Sequence, residues 1–512
     1  MRVCKLRWRR LLWGLASTLV LTGACVAQDK TYDIQRYQLR IEPDFLNKTV
    51  ELQCVIRVDN PGLATDFSFG LTNAYDSVQA TSPESPIELK RIQGGVQLTA
   101  AKPARKMTLV FSLKGSLGKS NGEDREIVED ESLFLLWSDR FYPISFDDWA
   151  TVETAIALPQ RFQVVAPGKL VRQQREGERM LHTFRTSHPT VAFSVFADSR
   201  WVETKRRVRG FDIRTLLHPE SQKFADQIFS TSGEILSFYA EMFGPYRFDG
   251  FGFVTLTGMP GRRAFRGFVG YDPAYLEREF TTTGHDAHET ALLWWGSTLR
   301  GSGPGSFQWT EGFGDYAEIL YDERYAKPVP QIVRFFREKY LAIPPEKDLL
   351  YTELRGNSNQ ALLHGKYPWL MHLIRYVIGD AAFRRGMRRL FARYTFRTFT
   401  MDEFLVTFES ASGQSLQWFR EEWLERRGRP HLRLQAEISE ANGSYRVSGS
   451  LRQIGNLYHL PIEIGIETES GMRIERVAIA REEEVFSFVV RDRPIRVVLD
   501  PHGWILIQKT GP

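Results

Sequence analysis

Cysteine is nearly absent from this chain, and so is any late apolar run long enough to span a bilayer. The three cysteines are Cys4, Cys25 and Cys54. The first two lie in or beside a segment that reads as removable, so a single thiol remains and no internal disulfide can form. Low-complexity tracts and short-period repeats are also missing. Charged residues at 25% and apolar ones at 42% argue against wholesale disorder. An excess of charge is missing too, once the N-terminus is set aside. The whole chain carries 67 basic and 62 acidic side chains, but residues 1–27 hold five basic and no acidic ones, which leaves 62 against 62. Nucleic-acid binding, which needs a clustered basic face, therefore finds no support.

What is present begins with that N-terminus. Arg2, Lys5, Arg7, Arg9 and Arg10 precede an apolar, small-residue stretch from Leu11 to Val26. This is the pattern of a secretory signal, with cleavage expected after Ala27. Leu21-Thr-Gly-Ala-Cys25 loosely resembles a lipobox, so a lipid anchor on Cys25 is the alternative. The mature protein is expected to be periplasmic or extracellular, without a transmembrane helix.

At 512 residues the chain has room for two to four domains. Residues 28–200 show short stretches of period-two alternation, such as Thr49 to Val58, and predict an N-terminal β domain. Cys54 shares the apolar phase with Val50, Leu52, Ile56 and Val58, which places it on a buried strand face. Residues 201–429 are mostly helical in pattern, with helices expected over 219–243, 283–299, 310–323, 329–341, 360–378, 380–393 and 401–411. Beyond Gly428-Arg-Pro430 six alternating stretches predict a small β-sandwich over 430–512. The fold class is thus α+β and multidomain.

The chemistry is concentrated in His285-Asp-Ala-His-Glu-Thr-Ala-Leu-Leu-Trp-Trp-Gly296 and Trp309-Thr-Glu-Gly-Phe-Gly314. The motif H-E-x-x-H puts two zinc-binding histidines on one helix face, with a glutamate beside them to activate water. His288 and Glu289 open that motif, but Leu292 stands where the second histidine belongs.

The segment resembles the zinc site of the membrane alanyl aminopeptidase (aminopeptidase N) family, of the gluzincin clan. Phe141-Tyr-Pro143 with Asp147-Asp148, Phe243-Gly-Pro-Tyr246 and Asp500-Pro-His-Gly503 are similar to further landmarks of that family. The resemblance implies a thermolysin-like helical domain between two β domains. It implies zinc held by His288 and a third-ligand glutamate at Glu311, with eighteen residues between Leu292 and that slot. It implies Glu289 as base and, in the slot of the oxyanion-stabilising tyrosine, His364, which could donate as a histidine does in thermolysin-like zincins. The family's amine-anchoring glutamate, in a Gly-x-Met-Glu-Asn segment, falls at Ala264, and no acid occurs between Asp249 and Asp272. Arg262, Arg263 and Arg266 could bind an anionic ligand there instead, or form a solvated loop.

Loss of one ligand costs about 3 kcal/mol of metal affinity, or two to three powers of ten. Zinc is therefore expected to be weak or absent, and the protein to be a peptide- or protein-binding pseudoenzyme with its ligand in the inherited cleft. The alternative is an active peptidase with a displaced metal on His285, His288 and Glu311. Against that, His285 could simply cap or solvate a first turn begun by Thr283, and His288 and Glu311 could be a hydrogen-bonded pair.

Overall fold

The computed structural model describes residues 32–120, 125–146, 148–325, 331–354, 359–441 and 443–510. The expected signal over 1–27, with Cys25, and Asp147 lie outside them. The fold is α+β: 28% of the chain is helical and 40% is in strands, so neither element type alone makes the scaffold. By packing the chain divides into two units. Unit 1 runs to Arg300 and takes in Thr395–Arg397; unit 2 is Gly301–Tyr394 and the chain from Thr398 onward. This division cuts within the stretch expected to form one helical domain. No helix among the described residues is long and apolar enough to cross a membrane.

Unit 1 opens with a seven-stranded sheet whose spatial order begins Lys169–Glu176, Arg179–Arg185, Thr151–Pro159, Asp33–Asp44 and Thr49–Asp59. Alternation does what it must: Val50, Leu52, Cys54, Ile56 and Val58 are buried while their neighbours are not. Leu39 sits opposite Cys54. A three-stranded sheet of Asp66–Gly70, Gly95–Ala100 and Ile87–Ile92 contributes Phe67, Phe69, Val96 and Leu98 to the same apolar core. Fully burying each such side chain is worth roughly 1.5–3 kcal/mol.

Next comes a mixed five-stranded sheet, in spatial order Val202–Val208, Phe211–Leu217, Phe251–Thr255, Phe268–Tyr271 and Arg262–Ala264. Phe211–Leu217 and Phe251–Thr255 run parallel, joined by the helix α1 (Ala225–Met242) in a βαβ crossover. Phe251–Thr255 is buried along its whole length, as a strand covered on both faces must be. The helix expected from 219 starts as a 3-10 turn, Pro219–Phe224, before α1 begins.

The helix expected over 283–299 is not continuous. Helix α2 (Pro273–Thr282) ends with Thr283 at its C-cap, and Gly284 follows at φ +79°. Helix α3 (Ala287–Ala291) then makes little more than one turn. Beyond it the bonds Leu293 N–H to Thr290 O and Trp294 N–H to Ala291 O tighten the chain into turns, and Gly296 at φ +89° completes the break. Apolar residues run continuously there, so periodicity could not distinguish helix from buried turns.

Unit 2 holds α4 (Ser306–Arg324), α5 (Gln331–Leu341), α6 (Gln360–Gly365), α7 (Tyr367–Ile378), α8 (Asp380–Tyr394) and α9 (Met401–Ser412). A single helix over 360–378 was expected; Pro368, which lacks an N–H, accompanies its division at Lys366. After α9 come a four-stranded sheet, ordered Glu483–Val490, Ser444–Gln453, His431–Ala441 and Gln508–Thr510, and a three-stranded sheet of Gly471–Ile479, Leu460–Thr468 and Pro494–Leu499. Leu432, Val447 and Leu451 from the first, and Ile462, Ile464 and Ile466 from the second, are fully buried.

Candidate functional site

In unit 1 the candidate residues converge on α3. The hydroxyl of Tyr239, on α1, donates to the carbonyl of Ala287 at 3.0 Å and fixes the start of that short helix. His288 and Glu289 follow, 4% and 6% exposed. Leu292 donates its N–H to the carbonyl of His288 at 3.2 Å, so its side chain lies one helical turn on, in the place a second zinc histidine would take. It is 8% exposed and offers no donor atom. A zinc centre that draws two imidazoles from this helix does not fit the residues present.

Glu289 has another partner. Arg262, on the edge strand Arg262–Ala264, reaches both Glu279 of α2 at 2.8 Å and Glu289 at 3.4 Å. The strand register puts Arg262 opposite Tyr271, Arg263 opposite Gly270 and Ala264 opposite Val269. The expectation of a solvated arginine loop is therefore corrected. Arg262 is an internal clamp between two carboxylates, and Arg263 and Ala264 are half-buried in a strand. Arg266, also half-buried, donates to the carbonyls of Val191 at 2.7 Å and Gly296 at 2.6 Å. Ala264 offers nothing to a substrate amine.

His285 lies ahead of α3 and is 2% exposed, so it does not solvate a first turn. Thr283 is not the N-cap of α3; that position is Asp286, whose side chain makes no capping bond. Asp286 is itself buried, and burial raises its pKa against the opposing pull of Arg262 and the hydroxyl of Tyr271.

In unit 2 the relevant element is α4. Glu311 is half-buried, and behind it Asp315, Glu318 and Asp322 are 4%, 3% and 5% exposed. Spacings of four, three and four residues put all of these carboxylates on one helix face. Carboxylate oxygens of Asp315 and Glu318 come within 4.8 Å of each other, as do those of Glu318 and Asp322. His364, on α6, places Nδ1 2.7 Å from Asp315 Oδ2. In a neutral ring that donates Nδ1–H to this carboxylate, Nε2 carries a lone pair and accepts rather than donates. Donation to an oxyanion by His364 would thus require the imidazolium. The buried acids of α4 and the arginine clamp were not singled out from the sequence. The four-and-seven spacing after Glu311 was readable there; the partner choice of Arg262 was not, since it depends on strand register.

No protein-family model matches the sequence. A 131-residue segment is 27% identical to aminopeptidase N of Lactococcus lactis subsp. lactis, over 24% of this chain and 15% of that protein. The structure of Legionella pneumophila aminopeptidase A in complex with aspartic acid is similar in fold, with a TM-score of 0.74 and 14% identity. That likeness covers 95% of this chain and 60% of the other. The chain is thus similar to an aminopeptidase N over a short segment of sequence and to an aminopeptidase in fold along nearly its whole length.

Proposed function

We propose that this protein is an exported peptidase-family pseudoenzyme that binds peptide or protein ligands and does not hydrolyse them through a firmly held zinc. In this reading the architecture is the family's: an N-terminal β domain, a thermolysin-like helical domain and a C-terminal β-sandwich. The observation that carries it is Leu292, held by a helical hydrogen bond one turn after His288. Three further features point the same way. Arg262 engages the glutamate that should act as base. Ala264 removes the acid that would hold a free amine. His364 is committed to Asp315.

The test is elemental analysis of the mature protein, purified without chelators and supplied with zinc. Wild type is expected to retain much less than one zinc per chain. Leu292→His is expected to raise zinc affinity by about two to three powers of ten. The buried imidazole of His285 keeps a second reading in view: a displaced metal and a working peptidase. Near-stoichiometric zinc in wild type, lost in His288→Ala, together with peptide hydrolysis abolished by Glu289→Gln, would overturn the pseudoenzyme and establish that reading.

A further inference from the structure

Within unit 1 a cavity of about 530 Å³ opens between the strands Lys169–Glu176 and Val202–Val208 and the chain around Arg247. None of His285, His288 or Glu289 lines it. Its walls are in large part apolar, with Val164, Leu170, Phe184, Ile213, Phe248 and Phe268 among them. Such a volume suits a small organic ligand, and such a lining favours one with a hydrocarbon body.

The charges around it do not balance. Seven cationic side chains and three carboxylates line the cavity. The carboxylates are already engaged: Glu203 with Arg214 and Lys205, Asp212 with Arg207, and Asp249 with Lys169. Arg206 turns to Asp226. Arg247 and Arg266 are left with no carboxylate partner among the described residues. Among the described residues Arg266 bonds to the carbonyls of Val191 and Gly296, while burial and the neighbouring Arg300 push its pKa down to about 9. A guanidinium so placed is electrostatically unsatisfied, and a bound anion would relieve it. An independent feature is Thr190, which also lines the cavity. It is 3% exposed, and its hydroxyl has no hydrogen-bond partner among the described residues.

We infer that this cavity binds an organic carboxylate with an apolar body, its charged end at Arg247 and Arg266 and its hydrocarbon against Leu170, Phe184 and Phe268. A free peptide C-terminus beside an apolar side chain and a medium-chain fatty acid share that chemistry. The site stands apart from the reading of the zinc motif, since Leu292→His would not alter it.

Isothermal titration of the whole protein with four probes tests the inference: decanoate, decanol, the tripeptide Ala-Leu-Phe and its C-terminal amide. At least one acid is expected to bind, with its neutral counterpart about tenfold weaker or worse. Which acid binds identifies the source. Arg247 is exposed, so Arg247→Gln should leave the melting temperature unchanged and weaken the bound acid about tenfold, while Arg247→Lys loses less. Arg266→Lys, which keeps the charge, should also weaken binding. No binding of either acid at millimolar concentration would overturn the proposal. So would equal affinity for acid and neutral forms, or binding indifferent to Arg247→Gln.

Discussion

His372 sits where packing and protonation oppose each other. Its ring stacks on Trp504, with centroids 4.1 Å apart and planes 8° from parallel, and its Nδ1 meets the hydroxyl of Tyr316 at 3.2 Å. Nε2 is buried without a hydrogen-bond partner among the described residues. Burial, aided by Arg375, lowers the pKa from 6.5 to about 3. An unfolded chain binds the proton near pH 6.5 and the folded one only near pH 3, so the contribution is whole above the first value. It is lost as pH falls through the window between them. His372→Phe should be less stable at neutral pH, because Tyr316 loses a partner. Its stability, followed by urea unfolding between pH 7 and pH 4, should nevertheless fall less steeply than wild type. Equal slopes would show that another group governs the acid limb. Asp348 makes a second case at this scale. It is fully buried and receives Lys366 at 2.8 Å, the hydroxyl of Tyr340 at 3.1 Å and the N–H of Gly428 at 3.0 Å. Asp348→Ala strands a buried ammonium and should cost about 3–5 kcal/mol in denaturant titration.

Among elements, α4 is held to α7 by a close approach at Gly312. A Cβ added there would lie 2.5 Å from the Cβ of Tyr367 and 3.2 Å from its backbone, atoms that have no free torsion to yield. Gly312→Ala should therefore destabilise by about 1–3 kcal/mol, read as a lower urea midpoint with an unchanged slope. This glycine stands beside Glu311, so the fragment Thr-Glu-Gly-Phe-Gly reports helix packing as well as chemistry. The strands were the most legible elements, because alternation such as Val50 to Val58 maps directly onto burial. The segment around α3 was least legible. Its positions from Ala287 to Trp295 are all buried, and a pattern without a polar face carries no period. His288, Glu289 and Leu292 could be singled out because their spacing is local. Arg262 on Glu289 and His364 on Asp315 could not, since each joins residues far apart in sequence through strand register or helix packing.

For the molecule as a whole, the proposed reading makes metal irrelevant to folding. Incubation with a strong chelator should leave the thermal midpoint within about 1 °C, since a ligand that is not bound contributes nothing through mass action. A drop of several degrees, reversed by zinc, would show that a metal supports the native state. The same scale governs how, on the proposed reading, a fold can outlast an activity. A fold similar over 95% of the chain to an aminopeptidase persists at 14% identity, because its cores are set by many interchangeable apolar residues and its activity by a few that are not.

If the site has lost its activity as proposed, the clamp of Arg262 on Glu279 and Glu289 gives that loss a direction in time. A histidine regained at position 292 would supply a metal donor, yet Glu289 would still be tethered to a guanidinium and Ala264 would still ignore an amine. No single reversion would, on the proposed reading, yield turnover for selection to favour. On the proposed reading the lineage has passed through a ratchet, in which each later substitution is tolerated because the earlier one has already silenced the site.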